Sequence, residues 1–216
     1  MIGEFFIIKS RILKLVELNF TKKNEIILDL GCGDRPSYHK KINGKIFCFD
    51  IRKTKISDIV GDANLVPFKN KIFDAVISIN SFYYFHDPFT SAKEVSRILK
   101  KGGKFVLVLP FIYPVHDAPI DKYRFTEFGI KTLLKDKFTI KEIKSIGGIF
   151  NLPAVVLHSL IKGIHFMTPK SPQLILSFLI VVLYPFYVIA QIFSLLDFFD
   201  KTRRWSTHYF VSAVKK

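Results

Sequence analysis

From Asn24 onward, short runs dense in β-branched and aromatic residues alternate with polar or helix-patterned stretches. That alternation predicts a parallel sheet with crossover helices. The candidate strands are residues 26–30, 45–50, 58–61, 74–79, 104–109, 138–146 and 209–214. Seven strands make a complete open α/β sheet. The clearest helix is 88–100: Asp87 suits its cap, Pro88 its first position, Val95, Ile98 and Leu99 form an apolar face, and Gly102-Gly103 ends it. A second helix is expected from a Thr126 cap, with Ile130, Leu133 and Leu134 facing inward.

The pattern changes at both ends. Over 1–23, Phe5, Ile8, Ile12, Leu15, Val16 and Leu18 approximate helical spacing, which predicts a helix laid over a domain edge. Glu4, Lys9, Arg11, Lys14 and Glu17 interrupt that stretch, so it does not read as a secretory signal. Beyond Gly147 charge nearly vanishes: Lys162 and Lys170 are the only charged residues before Asp197. The expected organisation is an N-terminal helix (1–23), an α/β core (24–146), a hydrophobic helical insertion (147–200) and a strand returning to the core sheet (201–216).

Composition narrows the setting. The chain has 216 residues, enough for one full core, and 49% of them are hydrophobic, which argues against disorder. Lys and Arg number 33 against 18 acidic residues, a net charge of +15, compatible with a polyanion or an anionic membrane surface, and equally with lysine-rich composition alone. Cys32 and Cys48 are the only cysteines and lie in no metal-site spacing. A reduced, cytoplasmic protein without structural metal is expected.

The candidate chemistry begins at the first strand. Ile26-Ile27-Leu28-Asp29-Leu30 runs straight into Gly31-Cys32-Gly33, a turn whose glycines let backbone approach a ligand. Asp50, nineteen residues after Gly31, ends the next strand, where a carboxylate can accept both hydroxyls of a ribose. A dinucleotide-binding protein would place a third glycine at position 36, where this chain has Pro36. A nucleoside ligand without a pyrophosphate fits better.

Five segments extend this pattern: Asp29-Leu-Gly-Cys-Gly33, Asp50, Gly61-Asp-Ala-Asn-Leu-Val-Pro-Phe68, Phe73-Asp-Ala-Val-Ile-Ser78 and Glu94-Val-Ser-Arg-Ile-Leu-Lys-Lys-Gly-Gly-Lys104. In order and spacing over 24–146 they resemble the motifs of class I methyltransferases, type 11 branch. The resemblance implies a doubly wound, seven-stranded Rossmann-like sheet and S-adenosylmethionine as cofactor. It assigns Asp29, Gly31 and Gly33 to the aminoacyl end, with Cys32 between them as a small filler of the cofactor loop, Asp50 to the ribose, and Asp62 and Ala63 to the adenine. Asn80 falls beside the sulfonium. The alternative for Asp62 is a turn cap, and for Asp74 a sheet-shaping role.

The acceptor side is expected after the fifth strand, at the carboxyl edge of the sheet. Residues 110–126 there contain His116, Asp117, Asp121, Tyr123 and Arg124. The segment resembles a His-x-x-Pro-x-Asp-x-Tyr-Arg-Phe-Thr pattern in members of the family that serve glycan or other cell-envelope pathways. His116 and Asp121 are the candidate catalytic residues, and Phe82, Tyr83, Tyr123 and Arg124 the candidate acceptor-binding residues. The alternative is that His116 and Asp121 brace the loop and Arg124 pairs with a carboxylate.

Residues 174–196 form an uncharged, largely apolar run of 23, long enough to cross a hydrocarbon core of about 30 Å. A single crossing would leave the last strand on the wrong side of the membrane, away from its sheet. Interfacial or re-entrant helices on the inner face of the cytoplasmic membrane are therefore expected, with Pro185 kinking the longer one and Lys162, Lys170, Lys201, Arg203 and Arg204 meeting headgroups. A soluble cap is the alternative. That location favours a small-molecule or lipid-linked acceptor: a glycan, a quinone or another lipid. Nucleic acid is disfavoured because Asn80-Ser-Phe-Tyr83 lacks the prolines of base-directed enzymes. A non-catalytic scaffold is disfavoured because the cofactor motifs are intact.

Overall fold

The computed structural model describes residues 6–34, 36–115, 117–167 and 173–216, and the backbone alone for 164–167 and 173–177. His116 and Lys170 lie outside the described residues. The chain divides into two compact units. One comprises residues up to Arg11, Ile112–Pro114 and Ser145–Thr207; the other comprises Ile12–Phe111, Val115–Lys144 and His208–Lys216.

The larger unit holds a seven-stranded sheet in the order β3-β2-β1-β4-β5-β7-β6. Its strands are β1 (Ile26–Leu30), β2 (Lys45–Asp50), β3 (Ile59–Val60), β4 (Phe73–Ile79), β5 (Leu99–Pro110), β6 (Phe138–Ile146) and β7 (His208–Lys215). Strands β3, β2, β1, β4 and β5 pair in parallel, and β7 runs antiparallel to β5. The order reverses at β1, which lies between β2 and β4, and a ligand crevice opens at such a switch point. Because the parallel strands end together, Leu30, Asp50, Ile79 and Pro110 share one edge. The antiparallel β7 begins there, with His208 opposite Pro110.

Alternation along the strands decides what each face buries. Leu28, Leu30, Phe105, Leu107 and Leu109 enter one core with Val95 and Ile98 of α2 (Pro88–Ile98) and Ile130, Leu133 and Leu134 of α3 (Glu127–Leu134). Elsewhere on the sheet Lys104 donates to the Asn19 carbonyl and Ser212 Oγ to Asn19 Oδ1 at 3.0 Å, which ties down the end of α1 (Phe6–Asn19). Both expected caps form: Asp87 accepts from the Phe89 amide at 2.9 Å, and Thr126 Oγ from that of Gly129 at 3.1 Å.

One boundary differs. Helix α2 ends at Ile98, and Leu99 is already extended (φ −69°, ψ 142°), paired with Phe73. Gly102, at φ +73°, lies inside the irregular start of β5. The glycine pair therefore bends a strand and does not end the helix. Asp74 shapes the sheet: its carboxylate accepts from the Ile26 amide at 2.9 Å and from Lys100 at 2.6 Å.

The smaller unit is mostly helical. Helix α4 (Leu152–Met167) packs on α5 (Gln173–Phe193) through Ala154, Ile161, Tyr187 and Ala190. Arg11 donates to the Ser194 carbonyl at 3.2 Å and pairs with Asp197 at 3.4 Å. Phe178–Phe199 is apolar and long enough to cross a membrane, and little of its most apolar stretch is buried. Phe178, Val181, Phe186, Ile189 and Ile192 are all more than half exposed.

Candidate active site

The turn after β1 is built for glycine. Gly31 has φ +81°, and a Cβ there would stand 2.5 Å from Ser81 Cβ. Ser81 belongs to a small hydroxyl network, its Oγ 2.6 Å from Ser78 Oγ, with both hydroxyls donating to the Leu30 carbonyl at 3.0 and 2.8 Å. The Gly31 and Cys32 amides donate to the Phe49 carbonyl at 2.8 and 3.2 Å. The turn is thus clamped between β2 and the loop after β4. Gly33, at φ +63°, has nothing within 4 Å of where a Cβ would lie, so open space borders the loop at that point.

Asp50 closes the other side. Its Oδ2 accepts from the Gly33 amide at 2.9 Å and its Oδ1 from that of Arg52 at 3.0 Å. Arg52 Nε adds a long contact to Oδ1 at 3.5 Å, so these donors orient a nearly buried carboxylate and leave acceptor capacity on Oδ2. Asp62 accepts from the Asn64 amide at 2.8 Å, the turn cap of its alternative reading, beside a buried Ala63. Asn80 adopts φ +50° at the end of β4, its amide donating to the Val108 carbonyl at 2.9 Å. Strain at a strand end near a crevice is common where a side chain must be aimed.

Asp29 is completely buried. Tyr38 Oη lies 2.8 and 3.0 Å from its two oxygens, and His39 Nε2 lies 2.6 Å from Oδ2. Burial pushes the Asp29 carboxyl above its usual range, while the bonds from His39 and Tyr38 pull it down. Cys32 and Cys48 are buried nearby, and burial raises both thiols, Cys48 to about 11. Cys32 donates to the Gly33 carbonyl at 3.5 Å as a neutral thiol, a filler of the loop.

Across the same edge, Arg124 grips Asp121 with two bonds of 2.5 and 2.7 Å. The Asp121 side chain is fully buried and that of Arg124 about one-fifth exposed. The Arg124 guanidinium stands 5.3 Å from the centre of the Tyr83 ring, and Tyr83 packs on Tyr84 with ring centres 4.1 Å apart. Burial raises the Tyr83 phenol to about 12. Tyr84 donates to Asp117, and Tyr123 donates to the His86 carbonyl at 3.1 Å. Arg124 therefore does pair with a carboxylate, so Asp121 enters the site as an anchored ion-pair partner.

Phe82 is a correction. It is fully buried in the core, 4.9 Å from Phe85 and 5.8 Å from Phe105 between ring centres, because the 3₁₀ turn Phe82–Tyr84 drives its ring inward. It shapes the loop from behind and offers no surface to an acceptor.

Four residues at this edge were absent from the sequence reading: Tyr38, His39, Tyr84 and His208. His208 is buried at the head of β7, and burial, with Arg124 nearby, pushes its imidazole down to about 4. It is neutral at physiological pH. Only the antiparallel return of β7 brings it to the carboxyl edge, and no local pattern announces that. Among the described residues, no group of three His, Cys, Asp or Glu side chains could hold a metal ion.

A switch-point crevice lined by a Gly-x-Gly turn and a strand-end aspartate is where open α/β sheets take nucleotide-type ligands. Residues 28–107 match the family described as "Methyltransferase domain", type 11. The matched stretch holds the Gly31–Gly33 turn, Asp50 and Asp62. It is 32% identical over 109 residues to a demethylmenaquinone methyltransferase of Thermotoga maritima, covering 44% of this chain and 48% of that protein. It is 26% identical over 180 residues to the ubiquinone/menaquinone biosynthesis C-methyltransferase UbiE of Haemophilus ducreyi, covering 74% and 64%. Phosphoethanolamine N-methyltransferase 2 of Haemonchus contortus, solved in complex with S-adenosyl-L-methionine, shares the fold at TM-score 0.58 and 16% identity, covering 95% and 52%. The chain spans about half the length of the first curated relatives it matches, 54% and 48%.

Proposed function

We propose that this protein transfers the methyl group of S-adenosylmethionine to a small-molecule or lipid-linked acceptor, such as a quinone, a glycan or another lipid, at the cytoplasmic face of a membrane. The observation that carries the reading is the pairing of the open-sided Gly33 with Asp50 at 2.9 Å. It presents a fixed carboxylate with spare acceptor capacity beside the space that a nucleoside would fill.

In this reading Asp50 receives the ribose hydroxyls, the buried Asp29 draws the aminoacyl ammonium by its charge, and the Gly31–Gly33 backbone lies under the methionine chain. Asp62 and Ala63 flank the adenine and Asn80 faces the sulfonium. The cofactor supplies an electrophilic methyl on a good leaving group. When bound, the cofactor would give that methyl to the acceptor's nucleophilic atom, the carbon–sulfur electron pair leaving on sulfur, and the acceptor's proton would pass to a base. His116 is the proposed base. Arg124, held by Asp121, and the Tyr83 and Tyr123 rings orient the acceptor, so positioning and desolvation supply most of the acceleration.

The membrane contact rests on the smaller unit taken by itself. Exposed Phe186, Ile189 and Ile192 on α5 are followed by exposed Lys201, Arg203, Arg204 and Trp205. That is an apolar surface flanked by cations and an interfacial aromatic. The quinone methyltransferases among its relatives favour an acceptor that resides in such a surface.

The test is calorimetric titration with S-adenosylhomocysteine, followed by transfer of labelled methyl to membrane-extracted quinones and lipid-linked saccharides. Micromolar binding that Asp50→Ala weakens more than about tenfold, at the scale of hydrogen bonds to a charged group, is expected. Folded protein that does not bind overturns the proposal.

A further inference from the structure

The crossover from β1 to β2 is short. Among the described residues of 31–44 the chain forms no α-helix, only a 3₁₀ turn at Ser37–Lys41. That turn folds back and places two consecutive side chains on one carboxylate. Tyr38 Oη and His39 Nε2 reach Asp29 at 2.8 and 2.6 Å, and the two rings meet edge to face, 5.1 Å apart at 87°. Tyr38 is itself buried, whereas the His39 side chain keeps 22% exposure and so a path for protons to water.

A carboxylate with no solvent contact is costly to ionise unless donors compensate it. The groups around Asp29 are Tyr38 and His39 from the turn, Cys32 from the glycine loop, and Cys48 and Asp50 from β2. Asp50 and the two neutral thiols bring no positive charge. Among the described residues, Tyr38 and His39 oppose the loss of ionisation.

We infer that Tyr38 and His39 are positioning residues for the cofactor, which orient Asp29 and hold it as a buried anion whose charge favours the aminoacyl ammonium at the neighbouring Gly31–Gly33 turn. The inference rests on the cofactor assignment of Asp29 proposed above. It makes the 3₁₀ turn a specificity element: it discriminates ligands that carry the charged aminoacyl end from those that carry only the nucleoside.

The experiment compares S-adenosylhomocysteine with adenosine, which lacks the aminoacyl end, on wild type, Tyr38→Phe, His39→Gln, Asp29→Asn and the Asp29→Asn/His39→Gln pair. Expected are losses of about tenfold in S-adenosylhomocysteine affinity for each of Tyr38→Phe and His39→Gln, as for hydrogen bonds to a charged group. Adenosine affinity should stay within about twofold of wild type, and the double variant should be no weaker than Asp29→Asn alone, because residues acting through one group are not additive. Unchanged S-adenosylhomocysteine affinity overturns the inference, as does equal loss of both ligands, which marks a collapsed loop. If wild type binds adenosine but not S-adenosylhomocysteine, or neither, the cofactor reading itself fails.

Discussion

Gly31 stands so close to Ser81 that a Cβ on the glycine would lie 2.5 Å from Ser81 Cβ, whereas Gly33, two residues on, borders open space. Both have positive φ, so alanine is strained at either position, at roughly 1–2 kcal/mol. Only Gly31→Ala adds a clash with a hydroxyl network behind it. In urea unfolding, Gly31→Ala is expected to destabilise by about 3 kcal/mol or more and Gly33→Ala by about 1 kcal/mol. Equal losses would show that conformation alone explains both glycines.

The ion pair of Asp121 and Arg124 predicts a large coupling. The carboxylate is fully buried and bound at two points, so removing either partner leaves the other poorly compensated. Asp121→Asn and Arg124→Gln are each expected to cost about 2–4 kcal/mol, with a coupling energy above about 1 kcal/mol in the double-variant cycle. Additive losses would mean that the two groups contribute independently.

His208 predicts a component of acid sensitivity. Its imidazole is held at about 4 against an ordinary value of 6.5. The unfolded chain therefore binds the proton more readily, and this contribution to stability is present above pH 6.5 and is lost as pH falls toward 4. At about 1.4 kcal/mol per pKa unit the loss is on the order of 3 kcal/mol. His208→Gln should flatten the stability profile between pH 6.5 and 4 relative to wild type. A profile of unchanged slope would contradict a buried neutral histidine there.

The exposed apolar face of α5 predicts lipid binding. Flotation with vesicles containing anionic lipid should carry the protein upward, and Phe186→Asp with Ile189→Asp should abolish most of that. Both side chains are about 60% exposed, so the unfolding midpoint should move little. Vesicle binding that survives both substitutions would place the contact elsewhere.

How much of this was legible in the chain depends on the range of the interactions involved. Short periodicities placed the strands, and each of the seven forms near its expected position; β1 and β4 are legible because a buried parallel strand reads as a run of apolar residues. The Asp87 and Thr126 caps were legible for a similar reason, since capping is chemistry among near neighbours. The turn Gly31-Cys32-Gly33 and Asp50 were readable through spacing, as the two adjacent strands bring them within 2.9 Å. Tertiary structure decided the rest. It put Phe82 into the core, ended α2 at Ile98 because Leu99 finds a partner in Phe73, and carried His208 to the ligand edge through an antiparallel pairing with β5. It also folded Tyr38 and His39 back onto Asp29. None of these follows from local propensity, because each is settled by which surface a side chain can bury or bond once distant strands have met.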